Sequence, residues 1–254
     1  MRRWIDRTCL AAAALAALAA PAAAATLPDW STGWSGQATI YAWIPAINGA
    51  QQGPDGEPLV NLNQNDVLSR LDMAFMGAAE VRKDRFGLLV DIVYADFSND
   101  GQWVQGRIQT STSVRLGMYT VAGAWRAWEA DRSFVDVYAG ARFFDTSLSF
   151  GVDTRNFGSR DGDVSLDWTN GIVGVRGATP LTERWSVSGF ADVGGFDASD
   201  DLSWEVYGGM NYAFTDAWAG TIGYRYMSIL YQATDRAKLD LDLQGPVFGI
   251  TYKF

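Results

Sequence analysis

The chain has 254 residues, a formal net charge of −9, 48% hydrophobic and 13% aromatic residues, 27 Gly, 1 Cys and no His. The lack of histidine excludes Ser-His and Cys-His nucleophile systems and imidazole metal sites. The single cysteine excludes a disulfide framework or a thiolate zinc site. An acidic balance gives a nucleic-acid partner no electrostatic basis, and so apolar a composition is not that of a disordered chain.

Residues 1–25 carry a secretory pattern. Arg2, Arg3 and Arg7 make a positive start, Cys9 to Ala20 is almost all Ala and Leu, and Pro21 ends the run. Ala23-Ala24-Ala25 then offers the small residues that a signal peptidase reads. The run is too short for the ~20 residues of a membrane-spanning helix. The expected organisation is a cleaved signal at 1–25 and then one domain over 26–254.

Beyond the signal, the chain alternates with a period of two. In Phe86-Gly-Leu88-Leu-Val90-Asp-Ile92-Val-Tyr94 the even positions are apolar and Asp91 falls on the other face. Ten such segments are expected, near 34–44, 73–83, 86–97, 113–128, 133–146, 166–178, 185–196, 203–214, 218–230 and 239–254. Short turns at 84–85, 129–132, 181–184 and 215–217 alternate with long polar loops at 45–72, 98–112, 147–165, 197–202 and 231–238. That rhythm predicts an all-β fold, a transmembrane antiparallel up-and-down β-barrel with short periplasmic turns and longer extracellular loops. The strand number is about ten, moving by two to eight or twelve if loop 45–72 contributes a hairpin. An even number places both termini in the periplasm.

Aromatic residues mark the strand ends. Trp34, Phe86, Trp125, Trp128, Phe134, Trp185, Phe214, Trp218 and Phe254 sit by the short turns, and Trp43, Tyr94, Phe97, Phe143, Trp168, Phe196, Trp204 and Tyr226 near the long loops. Two girdles are what two membrane interfaces select. At the C-terminus Phe248, Ile250, Tyr252 and Phe254 share one face, as in the strand signal read by outer-membrane assembly machinery. Leu239, Leu241 and Leu243 have the opposite parity, which predicts a bulge or bend at Gly245-Pro246.

Several stretches together carry a resemblance: Trp34…Tyr41-x-Trp43-x-Pro45-x-x-x-Gly49, Leu71-Asp72-Met-Ala-Phe75-Met-Gly77-Ala-Ala-Glu80, Gly223-Tyr224-Arg225-Tyr226 and Gly245-Pro246…Phe254. The sequence resembles a group of uncharacterised proteobacterial outer-membrane β-barrel proteins within the wider small-porin superfamily. The resemblance implies a location in the cell outer membrane and a barrel fold, with no chemistry to transfer.

With apolar faces toward lipid, strand parity points Glu80, Arg82, Asp91, Arg115, Asp136, Arg142, Arg176, Asp192, Glu205 and Arg225 into the lumen. Arginine without lysine suits bidentate pairing with carboxylates. Two readings arise, a salt-bridged structural barrel or a narrow channel for small solutes or ions. A bore of this strand number favours the packed or narrow interior. In the first long loop, Asn65 to Leu71 reads as a capped helical turn whose Val67, Leu68 and Leu71 need apolar cover, on the barrel rim or as a lid.

No catalytic, cofactor or metal site is expected. The acidic stretches Asp161-Gly-Asp163, Asp197 to Asp201 and Asp240-x-Asp242 lack calcium-loop spacing. Gly171-x-x-Gly174-x-x-Gly177 reads as close strand packing rather than a phosphate cradle. The expected partners are outer-membrane lipid, lipopolysaccharide and the assembly machinery. The alternatives are a barrel enzyme acting on lipid or peptide at the rim, with Asp96 and Asp100 as its carboxylates, and a loop-mediated adhesin.

Overall fold

A computed structural model describes residues 33–49, 61–103, 108–154, 158–197, 201–234 and 237–254. The expected signal peptide lies outside these residues. In chain order the elements are β1 (Trp34–Trp43), β2 (Ala46–Gly49), β3 (Asn61–Leu62), α1 (Gln64–Arg70), β4 (Leu71–Lys83), β5 (Phe86–Trp103) and β6 (Ile108–Ala130). They continue as β7 (Ser133–Thr154), β8 (Gly158–Pro180), β9 (Trp185–Asp197), β10 (Asp201–Ala213), β11 (Trp218–Thr234) and β12 (Ala237–Lys253). Strands β1 and β4 to β12 pair with their neighbours, and β1 returns to β12. The result is a closed antiparallel barrel of ten strands.

All ten predicted strands form, but the long loops are shorter than expected. Residues 98–103, 108–112, 147–154 and 158–165 continue the ladders of β5 to β8, as far as Thr154 opposite Gly158. Residues 98–103, 108–112 and 158–165 carry no apolar face and read as loop from pattern alone, whereas Leu148, Phe150 and Val152 do alternate in 147–154, a strand signal that the loop assignment passes over. The backbone nevertheless pairs across each hairpin, which engages the donors and acceptors on the side of the hairpin partner.

The outward face is apolar, with Val81, Leu88, Val121, Val137, Val175, Val206, Ile222 and Ile250 exposed. At the short-turn end Trp34, Phe86, Trp125, Trp128, Trp185, Phe214, Trp218 and Phe254 stand exposed in a belt. Trp125 and Trp128 have opposite parity, and a bulge between Arg126 and Trp128 turns both outward. Phe134 departs from the expected girdle, because its ring lies 4.1 Å from the guanidinium carbon of Arg126.

Strand β2 continues the line of β1 after an interruption at Ile44-Pro45. Trp43 pairs with Val247 and Ala46 with Gln244, both on β12, and Ile44 donates to the carbonyl of Pro246 at 3.1 Å. Asn63 caps α1 by accepting from Asn65 N and Asp66 N, while Asp66 accepts from Asn63 N. The helix packs against β2, β3 and β5. Val67 is buried and Leu71 half-buried, whereas Leu68 stays 47% exposed and has no apolar cover of the kind expected for it.

No bulge occurs at Gly245-Pro246. The register with β11 runs unbroken through Arg225 opposite Gly245 and Tyr224 opposite Pro246. What changes there is the lumen. Toward the hairpin end it fills with Trp43, Met76, Val93, Met118, Phe144, Trp168, Met227, Ile229 and Val247, and Leu243 packs against them. From Leu243 to Lys253 the odd residues of β12 therefore face inward, polar or small near the turns and apolar in this cap. Trp43 and Trp168, expected in the girdle, belong to the same cap, since both are buried inside.

Candidate functional site: the charged lumen

Two layers of ion pairs lie below the apolar cap. Nearest the short turns, Asp136 is fully buried and accepts from three arginines. Arg82 Nη2 reaches its Oδ2 at 2.5 Å, Arg126 Nε its Oδ1 at 2.6 Å and Arg176 Nη2 its Oδ2 at 2.9 Å. Glu80 completes the layer, accepting from Arg82 Nε at 3.0 Å, Arg176 Nη2 at 2.5 Å and Gln37 Nε2 at 3.1 Å. The Arg176–Glu80 pair joins β8 to β4, strands far apart around the wall, so it is a chord across the bore.

The second layer lies deeper. Arg142 grips Asp192 with two bonds of 2.9 Å, donates from Nε to Thr120 Oγ1 and lies 2.9 Å from Glu205 Oε2 as an ion pair. Arg225 Nε pairs with Glu205 Oε1, and its Nη1 donates to Tyr41 Oη at 2.9 Å. Tyr41 donates in turn to Asp91 at 2.5 Å. Tyr138 donates to Asp192 Oδ2 at 2.9 Å. Gly174 makes room for that ring, because a Cβ there would stand 2.5 Å from Tyr138 Cζ. Forked guanidinium pairs of this kind fix geometry as well as charge.

Inside the bore the first layer has one more arginine than carboxylates and the second one more carboxylate than arginines, so the lumenal charges balance, while Arg126 also meets the exposed Glu129 at 3.2 Å. Of the ten residues predicted for it, the structure brings Glu80, Arg82, Asp91, Asp136, Arg142, Arg176, Asp192, Glu205 and Arg225 into the lumen. Arg115 is a correction. Its side chain is 52% exposed on the outward face of β6, where Nε donates to Tyr94 Oη at 3.1 Å and Nη2 lies 3.8 Å from Asp96. Even residues of β6 face inward: Met118, Thr120, Ala122, Ala124 and Arg126 are all buried. Arg126 is thus the lumenal arginine that parity reasoning misses. The Ala-Gly-Ala run of 122–124 gives neither face an apolar signature, and the two outward tryptophans flanking Arg126 are the available clue.

A cavity of about 340 Å³ runs beside both ion layers and is lined as far as Phe134, Ser186 and Lys253 near the short turns. Its other wall carries neutral polar residues bonded to each other, with Thr221 Oγ1 donating to Asn211 Oδ1 at 2.7 Å and Asn211 Nδ2 to Ser188 Oγ at 3.0 Å. The C-terminal Phe248, Ile250, Tyr252 and Phe254 all face outward and are exposed. Asp96 stands outside the lumen, and the side chain of Asp100 lies outside the described residues. Among the described residues, no group of three or more His, Cys, Asp and Glu side chains is placed to hold a metal ion.

No protein-family model matches the sequence, and no curated protein matches it. Solved structures of other proteins are similar to this chain. The outer membrane protease OmpT from Escherichia coli superposes with a TM-score of 0.50 at 10% identity, over 90% of this chain and 99% of that one. The translocator domain of the autotransporter NalP from Neisseria meningitidis gives 0.47 at 13% identity, over 90% and 91%. Neisserial surface protein A gives 0.36 at 15% identity, over 88% and 98%. At 10% identity the likeness to the protease is one of fold, a closed antiparallel β-barrel of the outer-membrane type.

Proposed function

We propose that this protein is an integral outer-membrane barrel that serves as a non-enzymatic structural element of the envelope, its lumen sealed against solutes. The observation that carries the reading is the stacking of two hydrogen-bonded ion layers beneath an apolar cap inside one bore. The chord from Arg176 to Glu80 crosses the bore, and the apolar side chains above it occupy the lumen where ion conduction would require polar lining. The exposed apolar staves and the aromatic belt fit a lipid surround. Lipid and lipopolysaccharide are its partners in that setting. The assembly machinery would engage Phe248, Ile250, Tyr252 and Phe254, and the termini lie in the periplasm.

A second reading, a narrow channel for ions or small solutes, is favoured by the cavity beside the ion layers. Single-channel recording of the refolded chain in a planar bilayer separates the two. Silence from protein whose folding is verified by heat-modifiable gel migration supports the sealed barrel. Steady openings replace it with the channel.

A further inference from the structure

Strand β8 has two neighbours for less than half of its length. Its pairing with β7 runs from Ala178 to Gly158, but pairing with β9 stops at Ile172 opposite Gly194. The parting is built into the backbone. Gly195 takes φ +88, and a Cβ there would collide with the carbonyl oxygen of Asp201, beside a register shift between β9 and β10, so the backbone leaves regular strand geometry where the pairing with β8 ends. Among the described residues, no strand pairs with β8 from Gly158 to Gly171 on that side. At ~3.3 Å per residue this edge is about 45 Å long. Near its base the Asn170 and Trp168 side chains reach Ser203 and Tyr231, leaving Gly158 to Leu166 as the open stretch.

A barrel strand needs roughly 9–11 residues to cross a bilayer, and β8 has 23. The open stretch therefore stands clear of the membrane, presenting unpaired backbone donors and acceptors. Among the described side chains, its outward face carries one acid, with a second just beyond its end. Asp163 and Asp167 are exposed there, and Asp145 lies directly opposite Asp167 on β7. Like charges in that position repel. A second copy of the same edge fits badly: centred on Ser165 it would oppose Asp163 to Asp167, and centred on Asp163 it would oppose that residue to itself.

We propose that the edge of β8 from Gly158 to Leu166 captures an extended basic peptide segment by strand addition, backbone pairing supplying affinity and the carboxylates of Asp145, Asp163 and Asp167 selecting cationic side chains. The proposal rests on the outer-membrane reading only for the compartment in which the partner is met. Binding is therefore measured on protein refolded in zwitterionic micelles, with empty micelles subtracted, so that a failure here leaves the sealed-barrel reading untouched.

The probe is a peptide of alternating Lys and Val of about ten residues, compared with the same peptide N-methylated at every second backbone nitrogen. The expected result is saturable binding of the first, weakened about tenfold or more by methylation, which keeps the charge but removes the pairing donors. The double variant Asp163→Asn, Asp167→Asn should also weaken it. No binding of the parent peptide, or equal binding of both peptides, overturns strand addition. Equal binding of a Glu-Val peptide overturns the basic partner.

Discussion

Asp136 accepts a hydrogen bond of 2.5 Å from Arg82 Nη2, and neither side chain is exposed to solvent. The same carboxylate holds Arg126 and Arg176, so one buried anion organises three cations from strands β4, β6 and β8. Breaking a buried pair from one side costs about 3–5 kcal/mol, because the other charge remains desolvated. Asp136→Ala should lose at least that much, read as a lower urea midpoint for unfolding in micelles. Adding Arg82→Met to it should restore part of the loss by removing a cation that has lost one of its two carboxylates and keeps Glu80. A double variant no more stable than the single would mean that Arg82 finds its compensation elsewhere.

The Tyr138–Asp192 bond depends on a missing side chain. At Gly174 a Cβ would meet Tyr138 Cζ at 2.5 Å and the Ala191 carbonyl at 2.7 Å. The second contact is backbone and cannot swing aside. Overpacking of this kind costs about 1–3 kcal/mol, so Gly174→Ala should lower the unfolding midpoint. Tyr138→Phe in the Gly174→Ala background should not relieve it, since the ring and the carbonyl both remain.

Much of the barrel is legible in the sequence because lipid imposes a single rule on one face of every strand. Leu88, Val90 and Ile92 declare their side without reference to anything else in the chain. The lumen obeys no such rule. Leu241 and Leu243 read as a parity flip if every apolar side chain is assigned to lipid, whereas Leu243 packs inside, where the bore is apolar too. The same assignment misplaces Trp43 and Trp168. Charged residues are easier, since a carboxylate such as Asp136 between Val135 and Val137 has only one side on which to find partners. The extended ladders of β6 and β8 leave no trace in the pattern because water permits either face to be polar, whereas on β7 the alternation of Leu148, Phe150 and Val152 is a legible continuation of the strand.

Arg115 and Arg126 offer a direct check on which face of β6 looks inward. Arg126 bonds Asp136 and Glu129 from a buried position, while Arg115 is half in solvent. Arg126→Ala should destabilise by about 3 kcal/mol or more through the uncovered carboxylate. Arg115→Ala should change stability by about 0.5 kcal/mol or less, as expected of a surface substitution. Equal effects in thermal or urea unfolding would contradict the register of the strand.

The cap can be opened without touching an ion pair. Trp168 lies between Phe144 at 4.4 Å and Tyr231 at 4.5 Å, both nearly parallel to it, so three rings join β7, β8 and β11 across the bore. Each aromatic-to-alanine change in a packed core costs about 3–5 kcal/mol, and the hydrogen-bonded wall is expected to hold the barrel closed while the stack is lost. The double variant Phe144→Ala, Trp168→Ala should therefore remain folded by heat-modifiable migration yet show channel openings where the parent shows none. Water would then reach the Arg142–Glu205–Arg225 layer from both ends, and its guanidiniums and carboxylates would set the ion preference. A folded double variant that stays silent would place the seal in the ion layers, and Arg142→Ala in the same background would then be the change that conducts.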